Sequence, residues 1–157
     1  MHVSLIRNHW GPRLISRMPR LRFGTVHFVN NYVEDWVANA IGIDDTPTLL
    51  SENNYYEARS NREVVKYWSS GGNLTTFGDH FANGAYFVES GSKDYVPPYP
   101  YNCAPADEAL RDSVRRTAGW IPVSLPPDVG GSGIGETDVE ASDTTMLIDQ
   151  DLQADSD

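Results

Sequence analysis

"TVHFVNNYV", residues 25–33, is an apolar stretch of β-forming residues that runs into two asparagines and an aromatic ring. The same pattern stands on either side of it, as "HVSLIRNHW" at 2–10 and "TLLSENNYY" at 48–56. Asn8, Asn31 and Asn54 are 23 residues apart, each followed by an aromatic (His9, Tyr32, Tyr55). The position five before each Asn is aliphatic: Val3, Val26 and Leu49. A fixed period in the twenties marks stacked units that bury a face only against their neighbours. A β-rich unit of this length suits one coil of a parallel β-helix. Asn tolerates the left-handed backbone of a coil corner, and stacked Asn amides can hydrogen-bond from coil to coil. Three unrelated strands ending in turn-favouring Asn are the competing explanation; the matched flanks favour the repeat. The expected class is therefore all-β, a parallel β-helix.

Beyond Asn54 the period fades. "REVVKYWSS" (62–70) and "GAYFVES" (84–90) read as further strands separated by Gly- and Asn-rich loops. "VPPYPY" (96–101) cannot continue a central strand. "PADEALRDSVRRTAG" (105–119) predicts a helix, with Pro105 at its start, Asp107 and Glu108 in the first turn, Arg115 and Arg116 in the last, and Gly119 as the stop. Its apolar side (Ala106, Ala109, Leu110, Val114, Ala118) is expected to cover sheet surface. From about Leu125 the chain turns to Pro, Gly, Ser and acid. The expected organisation is a β-helix domain over 1–123 and a disordered acidic tail over 124–157. "GGSGIGE" (130–136) follows no strand and reads as linker rather than a phosphate-binding loop.

Charge is unevenly spread. The chain has 12 basic and 22 acidic residues, net −10. Five of the basic ones (Arg7, Arg13, Arg17, Arg20, Arg22) precede position 23, while no acid appears before Glu34 and nine acids follow Leu125. A basic front end is an electrostatic footprint for an anionic partner. Cys103 is the single cysteine, so no internal disulfide forms. No apolar run reaches membrane-spanning length, and the opening "MHVSLIRNHWG" is not a secretion signal. His2, His9, His27 and His80 lack ligand spacing and read as structural. Asp44 and Asp45 read as turn residues rather than a calcium site. "NLT" (73–75) is a glycosylation sequon only in a secreted eukaryotic chain.

"RMPRLRFGTVHFVNNYVEDWVANAIG", followed by "PTLLSENNYYEA", resembles the pectate lyases of polysaccharide lyase family 1. Arg17, Pro19 and Arg22 match the family's R-x-P-x-x-R, and Val26, His27, Asn30, Asn31 and Tyr32 its V-H and N-N-Y elements. Trp36, Ala40, Ile41 and Gly42 match its loop and A-I-G, and Glu52, Asn54 and Tyr56 its E-x-N-x-aromatic strand end. "PPYPYNCAPADEALRDSVRRTAG" resembles the family's C-terminal ending. The resemblance covers roughly residues 2 to 121.

It implies a right-handed parallel β-helix and β-elimination of polygalacturonate, in which a base removes the C5 proton and the C4 glycosidic oxygen leaves. It also implies that Arg17 is the base and that Arg22 helps hold the substrate carboxylate, with Pro19, Asn8, Asn31 and Asn54 structural. Arginine is ordinarily protonated in proteins, and an arginine fork also binds carboxylate without any proton transfer. Arginines beside a strand often only solvate a face or pair with acids; the motif singles out Arg17 and Arg22, and not Arg20, Arg13 or Arg7. In a straight strand, positions five apart face opposite ways, so a bend at Pro19 is expected.

Calcium is implied by the family, but the aspartates that bind it and the site's lysine belong to coils preceding this motif. Residue 1 is therefore expected to interrupt a stack of coils, and the chain to self-associate through its N-terminal coil. An extracellular setting is implied. The pectin lyase branch, which acts on methylated substrate, is less favoured because it tends to lack the second arginine. A non-catalytic β-helix that binds acidic polysaccharide is the main rival. A nucleic-acid-binding arm is weaker, since the aromatics follow the repeat and form no stacking platform among the basic residues. Neither nucleic acid nor membrane is expected as a partner.

Overall fold

The structure, a computed structural model, describes residues 1–69 and 71–119. The readings for 124–157, including the acidic tail and the Gly-rich linker, lie outside them. Strands β1 (His2–Ile6), β2 (His9–Trp10) and β3 (Arg20–Leu21) form a first coil. Strands β4 (Thr25–Val29), β5 (Tyr32–Glu34) and β6 (Ile41–Ile43) form a second, and β7 (Thr48–Glu52), β8 (Tyr55–Glu57) and β9 (Val65–Tyr67) a third. A fourth opens with β10 (Asn73–Phe77) and β11 (His80–Ala82), and a helix follows, α1 (Glu108–Thr117). Each strand pairs in parallel with its equivalent in the next coil, giving sheets β1-β4-β7-β10, β2-β5-β8-β11 and β3-β6-β9. This is a parallel β-helix.

The register explains the repeat. Val3, Val26, Leu49 and Leu74 are in-register neighbours, and the last three are buried in one apolar core with Phe28, Trp36, Ile41 and Ile43. Burying each such side chain contributes about 1.5–3 kcal/mol. The corner after the first sheet is left-handed in every coil, at Arg7, Asn30, Asn53 and Gly78 (φ 54°, 51°, 49° and 64°). The next column is the amide ladder. Asn31 Oδ1 accepts from Asn8 N (2.9 Å) and Nδ2 (3.1 Å), and Asn54 Oδ1 accepts from Asn31 N (2.8 Å) and Nδ2 (2.9 Å).

The period does not fade after Asn54, and the sequence reading is corrected there. The fourth coil begins 25 residues after the third, and Asp79 Oδ1 takes the next rung from Asn54 N (2.6 Å) and Nδ2 (2.9 Å). His80 then stacks on Tyr55 with centroids 4.4 Å apart. The residues read as loop between 70 and 84 are thus β10 and β11. Conversely, 84–90 is not a strand: it makes only bridges, Tyr86 to Glu63 in parallel and Ser90 to Leu74 antiparallel. Asn73, the sequon residue, lies in β10 with Oδ1 accepting from Ser92 N at 2.8 Å.

Helix α1 starts at Glu108, with Asp107 as its cap rather than in its first turn; the Asp107 carboxylate accepts from Leu110 N at 2.9 Å. Leu110 and Val114 bury against Tyr32 and Tyr55, with Ala106 and Ala118 alongside. Ala109 is exposed and does not join that face, because it lies beside the Leu110–Val114 stripe and not on it. Gly119 (φ 93°) follows the helix.

Candidate functional site

Sheet β3-β6-β9 carries the basic cluster. Leu21 and Ile43 turn into the core, so the alternate row Arg20–Gly42–Lys66 lies on the outer face. Arg17 precedes the strand. Its backbone is left-handed (φ 66°), Met18 is buried, the Met18–Pro19 bond is cis, and regular pairing begins only at Arg20. The path from Arg17 to Arg22 is therefore not one straight strand. Arg17 Cγ lies beside the place where a Cβ on Gly42 would be, 3.0 Å from it. This puts Arg17 on the same outer face as Arg20, one strand over.

The arginines differ in what they touch. Arg20 pairs with Asp44, which holds that carboxyl below the usual range. Arg22 Nε donates to Asp45 Oδ2 at 2.9 Å, while its side chain stays largely exposed. Ser69 Oγ braces both acids, accepting from Asp45 N (2.5 Å) and donating to Asp44 Oδ1 (3.3 Å). Lys66 pairs with Glu63 at 3.4 Å. Arg17 makes no ion pair among the described residues; its Cζ lies 4.7 Å from the ring centroid of Trp68. The exposed cluster thus presents one arginine without an acidic partner.

Asp44 and Asp45 are committed to arginines and to Ser69. Among the described residues, no group of three or more His, Cys, Asp or Glu side chains is placed to hold a metal ion. The residues described do not fit a calcium ion. On sheet β2-β5-β8-β11 the charge is reversed. Glu34 and Glu57 are register partners, and both accept from Tyr32 OH (2.9 and 2.7 Å), which drives that phenol's pKa far up through burial and these bonds. They line a cleft with Asp35, Ala58, Arg59 and Asn83.

His27 and His9 sit in hydrogen-bonded networks. His27 is fully buried, with Nε2 3.0 Å from Glu52 Oε2 and Nδ1 2.7 Å from Tyr99 OH. Tyr101 OH donates to the same Glu52 oxygen at 2.8 Å, and burial with this bond pushes the phenol up to about 12. Asn30 closes the strap, donating to Ala104 O and accepting from Ala104 N at 2.8 Å each. Residues 99–104 are thereby pinned across the first sheet. His9 Nε2 lies 2.8 Å from Glu34 Oε1.

Sequence reasoning gave Trp68 and Lys66 only as part of a strand, and missed the reason for Gly42. A glycine between two isoleucines in a strand signals close approach by something, yet nothing in the sequence says by what.

Stacked coils, an amide ladder and an outer sheet that carries arginines define the class: a β-helical protein with a basic cluster on one face. The family described as pectate lyase matches residues 1–120, and the chain belongs to that family. It is 44% identical over 106 residues to Probable pectate lyase 16 of Arabidopsis thaliana, covering 63% of this chain and 27% of that protein. Against the pectate lyase of Lilium longiflorum it is 41% identical over 101 residues, 58% of this chain and 23% of the relative. The chain therefore spans about a quarter of the length of the curated relatives it matches. In structure it resembles the pectate lyase of Bacillus sp. N165 solved in complex with trigalacturonate. The TM-score is 0.63 at 24% identity, over 74% of this chain and 39% of that one, a likeness of fold.

Proposed function

We propose that the outer face of β3-β6-β9 binds the carboxylates of polygalacturonate, and that the chain carries the arginine part of a β-elimination site. The observation that carries this reading is Arg17: it lies on the face matched to the family motif and, among the described residues, has no acid to neutralise it. In the reaction, a base takes the C5 proton of a galacturonate. The C5–H electrons form the C4–C5 double bond while the C4–O bond breaks, and the glycosidic oxygen leaves with the other sugar fragment. Arg17 is assigned as that base and Arg22 as a carboxylate holder, since Asp45 engages only Arg22 Nε and leaves its other nitrogens to solvent. The setting is inferred to be extracellular, and the domain to occupy residues 1–123.

The second reading, a binder without catalysis, is favoured by the stacking itself. A guanidinium over an aromatic face is stabilised in its charged form, which suits carboxylate binding better than proton removal.

Affinity electrophoresis of the 157-residue chain in gels containing polygalacturonate, methyl-esterified pectin or neutral polysaccharide tests the binding. Polygalacturonate alone should retard the chain strongly, and RNA should compete poorly. Equal retardation by neutral polymer, or none by polygalacturonate, would overturn the reading. Ultraviolet absorbance of the unsaturated product, followed with polygalacturonate and calcium, separates enzyme from binder. Tested by itself, the 157-residue chain is expected to bind without turnover.

A further inference from the structure

We propose that Trp68 is a positioning residue for Arg17, holding its guanidinium flat so that the in-plane N–H donors meet a galacturonate carboxylate. This rests on the second, binding reading given above, in which Arg17 stays charged and holds a carboxylate. Arg17 leaves the chain outside any strand and, among the described residues, lacks the acidic partner that orients Arg20 and Arg22. The Trp68 ring at 4.7 Å supplies the orientation instead. Stacking occupies only the face of a guanidinium; its donors lie in the plane and remain available for a two-point bond to carboxylate.

Two further observations show that the arrangement is built. A Cβ on Gly42 would sit 2.8 Å from Trp68 Cζ3 and 3.0 Å from Arg17 Cγ. The backbone of Gly42 is not left-handed, so space and not conformation requires the glycine, at a strand position where glycine otherwise weakens the sheet. The backbone beneath Trp68 is also fixed: its main-chain N–H donates to Ile43 O at 2.9 Å, and the adjacent Ser69 braces the Asp44–Asp45 turn. Trp68 keeps 46% of its surface open, which places the stacked guanidinium at the solvent boundary and within reach of a polymer.

The test is a double-mutant cycle read as affinity for trigalacturonate by titration calorimetry, with circular dichroism confirming the fold of each variant. Arg17→Ala should weaken binding about tenfold. Trp68→Leu, which keeps apolar bulk and removes the aromatic face, should weaken it about threefold. In the Arg17→Ala background, Trp68→Leu should change nothing further; with Arg17 present, Trp68→Phe should keep most of the affinity that Trp68→Leu loses. Gly42→Ala, which forces the pair apart, should copy Trp68→Leu and stands in for it if that variant does not fold. An additional loss from Trp68→Leu in the absence of Arg17 would mean that Trp68 touches the sugar itself, and would overturn the proposal. So would an unchanged affinity in Trp68→Leu and Gly42→Ala while Arg17→Ala is impaired. If Arg17→Ala binds as tightly as the parent, or the parent does not bind, the reading of the face fails and the role of Trp68 fails with it.

Discussion

Asp79 shows how a different side chain can carry on a repeat. It stands on the rung that Asn occupies in three coils, and its carboxylate accepts from Asn54 through one oxygen and from Ser51 Oγ and Thr76 Oγ1 (both 2.6 Å) through the other. Packing removes water from it and pushes the carboxyl up to about 6, despite four hydrogen bonds that favour the charged form. An acid with a raised folded pKa binds protons more tightly in the native state. Its contribution to stability is present below the unfolded value of about 4 and is lost as pH rises through about 6. Asp79→Asn should therefore stabilise the chain by about 1–2 kcal/mol at pH 7, with the gain shrinking toward zero at pH 4. Urea melts at the two pH values measure this; an equal gain at both would mean that ionisation of Asp79 is not the cause.

At the scale of elements, the ladder holds the coils in register and its rungs are unequal. Asn31 is fully buried, takes both donors of Asn8, and donates to Leu5 O and Asn54 Oδ1. Asn8, in the first coil, is half-buried and donates its amide only to Asn31 Oδ1 and Ile6 O. Asn31→Ala should cost about 3 kcal/mol because it leaves buried groups unpaired, and Asn8→Ala about 1 kcal/mol or less. Equal losses in denaturant titrations would show that the ladder acts as a unit and not rung by rung. The first three rungs were legible because 23 residues separate them and the letters repeat. The fourth was not, because two extra residues stretch the step to 25 and Gly78–Asp79 replaces Asn–Asn. The chemistry is conserved while the letters change: Gly78 supplies the left-handed corner and Asp79 the acceptor. The arginine cluster was equally visible as charge. Its sorting into paired and unpaired members was not, since Asp44, Asp45 and Trp68 reach it from neighbouring coils, across a sheet whose steps run 22 and then 24 residues.

For the molecule as a whole, net charge is a poor guide to partners. The chain is acidic at −10, yet the face of β3-β6-β9 gathers Arg17, Arg20, Arg22 and Lys66 against Asp44, Asp45 and Glu63, one base more than acids, while Glu34 and Glu57 stand together on the neighbouring sheet. Binding of an acidic polymer to such a face should be salt-sensitive. Raising ionic strength from about 0.01 M to 0.15 M shortens the screening length from about 30 Å to 8 Å and should weaken polygalacturonate retardation several-fold. Insensitivity to salt in affinity electrophoresis would point to sugar-ring contacts in place of charge. The most direct test of the central claim, that Arg17 is the free fork of this face, is the polygalacturonate affinity of three single variants: Arg17→Lys, Arg22→Lys and Arg20→Lys. Lysine keeps each charge but gives up the planar fork. With Arg17 holding carboxylate as a charged fork, the account predicts the largest loss for Arg17→Lys, a smaller one for Arg22→Lys, and almost none for Arg20→Lys, whose charge Asp44 already holds. Were Arg17 only the base, Arg22→Lys would cost more affinity than Arg17→Lys. Equal losses at all three positions would contradict the account and show the cluster to be one undivided patch of charge.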